Sequence, residues 1–452
     1  MEETIAAIST ALGVGAISII RVSGPEAIEK VNAIFDGKNL MNVKTHTIHY
    51  GHIVDGEKII DEVLISVMRS PKTFTMEDIV EINCHGGIAT TKKILELLLE
   101  TGIRLAEPGE FTKRAFLNGR IDLLEAESVM DIIQSKTEST RTMAINQLTG
   151  KVSSLIHDLR QKIVEILANI EVNIDYPEYE DIEEVTYQML NPRIEIIEKE
   201  IQKILKESEN GKLLKEGIKT SIIGRPNVGK SSLLNTLLEE EKAIVTEIEG
   251  TTRDTVEGQI ILDGILLNVI DTAGIRKTND VVEKIGVEKS RKLIHDSDLI
   301  LYVINQNQPL EEEDIEIINH LNSKKHILVI NKTDLPSVIN LKEYEKVHPI
   351  VYISTLNGTG IDQLKSEIEK LFELGNIETK DLTYLTNVRS ISILKKALKS
   401  IQEVKNGVEQ NQPIDMIEID LKEIWNELGK ITGETYQEEL IDQLFSRFCL
   451  GK

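Results

Sequence analysis

Short β-branched runs bounded by glycine, proline or acidic turns open the chain: Ala16–Val22, Val63–Met68 and Ile79–Ile82. A stretch with helical apolar spacing, Lys93–Leu99, follows the third. Such runs read as strands, and a helix to cover one face of their sheet predicts a small α+β domain over residues 1–118. From Phe111 the apolar period lengthens. Leu123, Ala126, Val129, Met130 and Ile133 recur at helical spacing, and the stripe resumes through Leu155, Ile156, Leu159, Ile163 and Ile166. Pro177, inside the acidic stretch 175–181, interrupts it, because proline within a helix forfeits a backbone hydrogen bond. Ile194, Ile197, Ile201 and Ile204 then line one face of a further helix leading to Gly211.

At about residue 217 the texture changes again. Apolar runs Ile218–Ile223, Ile265–Ile270, Leu299–Ile304, His326–Ile330 and Ile350–Ile353 alternate with helix-length segments. That alternation predicts a parallel sheet with crossover helices on both faces. After about residue 376 helix returns, with Ile391, Leu394, Leu398, Ile401 and Val404 as a stripe and further helical runs over 415–428 and 436–448. The two helical segments each carry an apolar face that must be buried, most simply against the other. The reading is a multidomain α/β + α chain: a domain 217–375 inserted in a discontinuous helical domain, 119–216 and 376–452, preceded by the α+β domain.

Composition narrows the class. The 452 residues carry a net charge of −23, which argues against a protein that coats nucleic acid through broad positive charge, though not against a local basic groove. Cys84 and Cys449 are the only cysteines, so no disulfide framework or four-cysteine zinc site is possible and a reducing, cytoplasmic setting is expected. The start, Met1-Glu2-Glu3-Thr4, is acidic where a secretory signal would be basic, and no apolar run is long enough to span a bilayer.

The chemistry sits at the ends of the predicted parallel strands. Gly224-Arg225-Pro226-Asn227-Val228-Gly229-Lys230-Ser231 matches the phosphate-loop pattern GxxxxGK[ST], with a strand before it and a helix, Ser232–Leu238, after it. In such a P-loop, glycines let N–H groups turn towards phosphates, Lys230 reaches the β and γ oxygens, and the Ser231 hydroxyl ligates Mg²⁺. Asp271-Thr272-Ala273-Gly274 follows Ile270, where a carboxylate can hold a Mg²⁺-bound water and the glycine N–H can reach the γ-phosphate. Asn331-Lys332-Thr333-Asp334 follows Ile330, and Asp334 can accept from N1–H and the exocyclic amine of guanine. Adenine lacks that donor pair. Ser354-Thr355 fits a loop closing over the base. Four elements in order make a G domain that binds GTP.

The segment Thr246-Glu247-Ile248-Glu249-Gly250-Thr251-Thr252-Arg253-Asp254 lies between the first helix and the second strand. Thr252 can complete the Mg²⁺ shell, making this a switch ordered by nucleotide, and the composition suits carbonyls turned towards a second cation. Many GTPases place a water-orienting glutamine after the DxxG glycine; here Ile275 stands there. Arg276, Asp280 and Glu283 are the nearby polar candidates, with Glu283 first. Either one of them replaces the glutamine or the switch is slow.

The combination GRPNVGKS, GTTRD, DTAGIR and NKTD resembles the tRNA modification GTPase family MnmE (TrmE). So do the tail Phe448-Cys449-Leu450-Gly451-Lys452, the N-terminal Ile20–Pro25, the turn Cys84-His85-Gly86-Gly87, and Pro108–Thr112 with Ala115–Gly119. The resemblance spans nearly the whole chain. It implies an N-terminal domain that binds folate and dimerises, and G domains that pair in a potassium-dependent manner, the cation standing in for an arginine finger. On this resemblance Asn227, Thr246, Ile248 and Thr251 would ligate K⁺, Glu283 would orient the attacking water, and Arg276 would respond to closure. Arg21, Glu81 and Arg120 would contact a tetrahydrofolate derivative (the 5-formyl or 5,10-methylene form), with Lys452 nearby. Its partners would be tRNA, modified at C5 of the wobble uridine, and the FAD-containing protein MnmG in a heterotetramer or larger complex. The tail reads Cys-Leu-Gly-Lys where the family writes CIGK; Cys449 is either a participant in that chemistry or a small hydrophobe. His85 is either near a ligand pocket or structural. The basic run Arg389, Lys395, Lys396, Lys399 and Lys405 is either a tRNA contact or a solvated face. A ribosome-assembly GTPase switch and a folate-binding scaffold are the competing readings.

Overall fold

The computed structural model describes residues 3–175, 187–240, 256–262, 264–270, 293–322, 324–341, 343–372, 382–436 and 438–452. The chain forms two compact units: Met1–Met130, Leu148–Asn191 and Glu403–Lys452 make the first, Asp131–Gln147 and Pro192–Gln402 the second. Among the described residues no helix is long and apolar enough to cross a membrane.

The first unit contains a seven-stranded sheet. Its strands are β1 (Ile5–Ile8), β2 (Ile17–Ser23), β3 (Phe35–Gly37), β4 (Thr47–Asp55), β5 (Lys58–Met68), β6 (Ile79–His85) and β7 (Arg104–Leu105), in the order β3-β4-β5-β6-β2-β1-β7. Helices Ala27–Ala33 and Ile88–Glu100 cover one face, and Ile20, Val22, Ile65, Ile82, Ile94 and Leu98 join in the core between. The expected runs are β2, β5 and β6. Strand β4 gives no alternating signal because its inward positions include His49 and Gly51, while Ile48 and Tyr50 face outwards. Gly51 has no alternative, since a Cβ there would lie 2.5 Å from the Phe35 ring.

In the same unit the long helix Lys151–Asp175, which carries the stripe Leu155–Ile166, packs against Ile414–Thr432. Arg160 stacks 4.2 Å above the Trp425 ring, and Lys422 pairs with Glu171 at 2.8 Å. Helix Glu438–Phe445, shorter than the run expected, packs on Glu110–Leu117 through Phe445, Phe448 and Phe116.

The second unit holds a six-stranded sheet of β8 (Ile218–Ile223), β9 (Val256–Leu262), β10 (Ile265–Ile270), β11 (Leu299–Asn305), β12 (Lys325–Asn331) and β13 (Ile350–Tyr352), in the order β13-β12-β11-β8-β10-β9. The five expected runs are parallel, and their central members are buried on both faces. The expectation of an all-parallel sheet is corrected at one edge, where β9 runs antiparallel to β10. Leu262 pairs with Ile265, and Gly264 just before it sits at φ +82, the turn chemistry of a hairpin. In the same unit Ile194, Ile197 and Ile201 of helix Tyr187–Glu216 are buried, and so are Ile391, Leu394 and Ile401 of helix Val388–Glu409. Leu398 of that stripe is half-buried, and Ala397 beside it is buried as well.

Candidate functional site

Strand β8 delivers the phosphate loop. It ends at Ile223 and is followed by Gly224, whose φ is +150 and whose Cβ would lie 2.3 Å from the Val303 carbonyl oxygen. Gly229 sits at φ +99, with room for a Cβ denied by Asn331 Nδ2 at 2.1 Å. Neither position accepts a side chain. Between them Asn227 takes the left-handed conformation, φ +62, which asparagine tolerates better than most residues, and leaves its side chain exposed. Helix Lys230–Glu240 begins at the loop's end, with Ser231 exposed on its first turn.

Lys230 Nζ donates to the carbonyl oxygens of Gly224 and Arg225 at 2.8 Å each. Burial pulls its pKa below the usual lysine value. A partly buried ammonium resting on neutral carbonyls is the donor set an anion completes, so the loop fits a phosphate chain.

The base loop grows from β12. Asn331 is fully buried; its Nδ2 donates to the Val228 carbonyl at 2.9 Å, and its Oδ1 accepts from the backbone of Lys332 at 2.8 Å and of Thr355 at 3.3 Å. Lys332, at φ +63, reaches back to donate its Nζ to the Asn227 carbonyl at 3.0 Å. Asp334 is exposed, and Ser354, only 1% exposed, donates its hydroxyl to Asp334 Oδ1 at 2.6 Å. Ser354 is itself fixed by a bridge to Thr359. The expected base and phosphate residues are thus brought together in one cradle. Thr246, Glu247, Ile248, Glu249, Gly250, Thr251, Thr252, Asp271, Thr272, Ala273, Gly274, Arg276 and Glu283 lie outside the described residues.

The residues expected around a folate gather in the first unit. Arg21 and Glu81 face each other in register on β2 and β6 and pair at 2.8 Å. Arg21 also lies 5.7 Å from the Phe111 ring centroid, and Arg120 lies 4.8 Å from that of Phe74. Phe74 packs against the small cluster built on Ile5, Ala7, Ala106 and Phe111, so both guanidinium groups border one apolar patch. Phe74 was not singled out in the sequence; nothing in its local pattern separates it from an ordinary core aromatic.

The C-terminal tail arrives at the same place. Gly109 N–H donates to the Cys449 carbonyl at 3.3 Å, and Ser9 Oγ donates to the Gly451 carbonyl at 3.2 Å, with Arg21 Nη1 at 3.5 Å from it. Gly451, at φ +86, is pressed so closely on β1 that a Cβ would meet the Ile8 carbonyl oxygen at 2.4 Å. Cys449 is exposed, and the Lys452 backbone N–H closes a turn onto the Cys449 carbonyl. His85 is held by Asp61 through Nδ1 at 2.7 Å, a hydrogen bond that raises its pKa, and its ring is exposed. Lys395 of the basic helical run pairs with Glu209 at 2.9 Å. A cavity of about 710 Å³ in the second unit, lined by Asp131, Ile133, Met143, Lys215, Gln259 and Leu266, touches neither the phosphate loop nor the base loop.

Comparison with known proteins identifies relatives along the whole chain. The family model described as the MnmE helical domain matches residues 123–449, and that of the GTP-binding protein TrmE N-terminus matches residues 4–120. The tRNA modification GTPase MnmE of Bacillus cytotoxicus is 55% identical, with 100% of this chain and 99% of that protein covered. Its counterpart in Bacillus thuringiensis is 54% identical over the same shares. Likeness to solved structures is partial: the G domain of the T. maritima FeoB iron transporter aligns with 34% of this chain and 98% of that one, at 27% identity and a TM-score of 0.25, so family membership rests on the sequence relatives. Matched by both family models and more than half identical to a relative from end to end, the chain belongs to the MnmE family of tRNA modification GTPases.

Proposed function

We propose that the chain couples GTP hydrolysis to modification of the wobble uridine of tRNA at C5, together with the FAD-containing protein MnmG and a one-carbon tetrahydrofolate. Membership of a GTPase family makes it a GTP hydrolase. The observation that carries the reading is the pair of hooks by which Asn331 and Lys332 fasten the base loop to Val228 and Asn227. They hold a guanine-reading carboxylate and a phosphate-binding loop at a fixed separation, which is what a guanine nucleotide needs.

Lys230 and the loop N–H groups would neutralise the β and γ phosphates, and Asp334, aligned by Ser354, would read guanine. Ser231 and Thr252 would hold Mg²⁺, and Asn227, Thr246, Ile248 and Thr251 would hold K⁺, the two cations supplying positive charge beside the phosphates. The exposed Asn227 side chain fits such a role. Glu283 would orient the attacking water in place of the glutamine that Ile275 displaces, with Arg276 moving as the switch closes. At the second site Glu81 keeps Oε2 outside its pair with Arg21, an acceptor suited to the amino edge of a pterin, with Arg120 and Lys452 as further contacts. The outer face of β4 and β5 exposes Ile48, Tyr50 and Leu64, which supports a homodimer formed through this domain.

The test joins two measurements. GTP turnover should be faster in K⁺ than in Na⁺ and should fall in Glu283→Ala. Mass spectrometry of tRNA from a deletion strain should show an unmodified wobble uridine. Intact modification, or copurification with ribosomal subunits instead of a flavoprotein, would favour the assembly-switch reading.

A further inference from the structure

Arg225 is the second residue of the phosphate loop, yet its side chain is directed at another element. Nε stands 3.0 Å from Asp314 Oδ2, Nη1 pairs with Glu311, and Nη2 donates to the Pro309 carbonyl at 3.1 Å. Only 12% of the Arg225 side chain is exposed, and Asp314 is 1% exposed. This is not a surface ion pair of the kind that contributes little. Asp314 is held in turn: Oδ1 accepts from the buried Tyr302 hydroxyl at 2.7 Å, and Oδ2 accepts from Glu311 N–H at 2.9 Å, half of the capping box that starts helix Glu312–Leu321.

The segment gripped by Arg225 also braces the base loop. Gln306 N–H donates to the Asn331 carbonyl at 3.0 Å, Gln306 Nε2 to the Leu335 carbonyl at 3.0 Å, and Val338 N–H to the Gln306 carbonyl at 3.0 Å. One stretch, Asn305 to Asp314, therefore touches the phosphate loop through Arg225 and the loop after Asn331 through Gln306. We propose that Arg225 is a positioning residue for GTP binding, which fixes the phosphate loop against the base loop through its ion pairs with Asp314 and Glu311 and its hydrogen bond to the Pro309 carbonyl, without touching the nucleotide. The proposal rests on the reading that this loop holds the GTP phosphates. A guanidinium held by two carboxylates and a carbonyl of one segment is committed to that segment, which is not the placement of an arginine finger.

The test uses the full chain, with steady-state GTP hydrolysis and stopped-flow dissociation of a fluorescent GDP analogue. Arg225→Ala should raise KM and the dissociation rate roughly tenfold while kcat at saturating GTP stays within about threefold. Arg225→Lys, a point charge without the fork, should fall between. Tyr302→Phe removes one hydroxyl at constant shape and should raise KM by roughly two- to threefold, which keeps the idea testable where Arg225→Ala fails to fold. Unchanged KM and dissociation in Arg225→Lys and Tyr302→Phe would overturn the proposal. So would a fall in kcat of about a hundredfold at constant KM in Arg225→Ala, which would put the guanidinium at the transition state. Failure of the underlying reading looks different: the wild-type chain itself would not bind the GDP analogue.

Discussion

The side-chain amide of Asn331 donates to the Val228 carbonyl at 2.9 Å, so the residue that opens the base loop holds the loop that cradles the phosphates. Neither loop needs a nucleotide to find the other.

Asn331→Ala should therefore do more than lose a base contact. It leaves the Val228 carbonyl and the N–H groups of Lys332 and Thr355 without their partner, at about 1–3 kcal/mol for each group left buried and unsatisfied. Calorimetric titration with GDP should show affinity down by roughly a hundredfold.

Asp334→Asn should redirect base choice. Its carboxylate is exposed and aligned by the Ser354 hydroxyl, a geometry the amide keeps. The amide exchanges one acceptor for a donor, which suits xanthine, with a carbonyl where guanine has an amine. Competition binding should show GTP weakened by roughly a hundredfold or more and XTP strengthened.

Gly451→Ala should separate the two activities. The new Cβ would fall 2.4 Å from the Ile8 carbonyl oxygen at φ +86, so the tail must lift away from Arg21. The expected outcome is at least a roughly tenfold loss of tRNA modification by mass spectrometry with GTP turnover unchanged. Parallel loss of both would show that the tail serves the fold alone.

Asp122→Asn tests a pH dependence. Asp122 and Glu125 form a reciprocal cap, Glu125 N–H on Asp122 Oδ1 at 2.8 Å and Asp122 N–H on Glu125 Oε2 at 2.9 Å, and burial raises the pKa of both. A carboxyl group with a raised folded-state pKa stabilises the fold fully below its unfolded value and loses that contribution as pH rises through the folded one. Asparagine caps without titrating, so its advantage should grow from acid to neutral pH, to on the order of 1 kcal/mol in thermal melts. A gain larger in acid would contradict this.

Much of the second unit was legible because each motif sits at the C-terminal end of a strand apolar on both faces, and such runs announce themselves. Strand β9 was not: Gly258 and Gln259 break the apolar run, and only Asp263-Gly264 signals a hairpin. The pairing of Arg21 with Glu81 joins residues 60 positions apart, which only the antiparallel register of β2 and β6 sets opposite each other. The direction of Arg225 was invisible for another reason. Its partner Glu311 lies 86 residues away, and nothing local in GRPNVGKS says that its arginine turns from the phosphates. The tail's docking beside Arg21, across 430 residues, is non-local in the same way; the family resemblance, and no periodicity, had put Lys452 near the folate residues.

The most direct measurement is GTP hydrolysis by the full chain in K⁺ and in Na⁺ at equal ionic strength, for wild type and Asn227→Ala. A cation held by the Asn227 side chain predicts clear stimulation by K⁺ that disappears in the variant. Equal rates in the two salts, or stimulation that survives Asn227→Ala, would contradict the account.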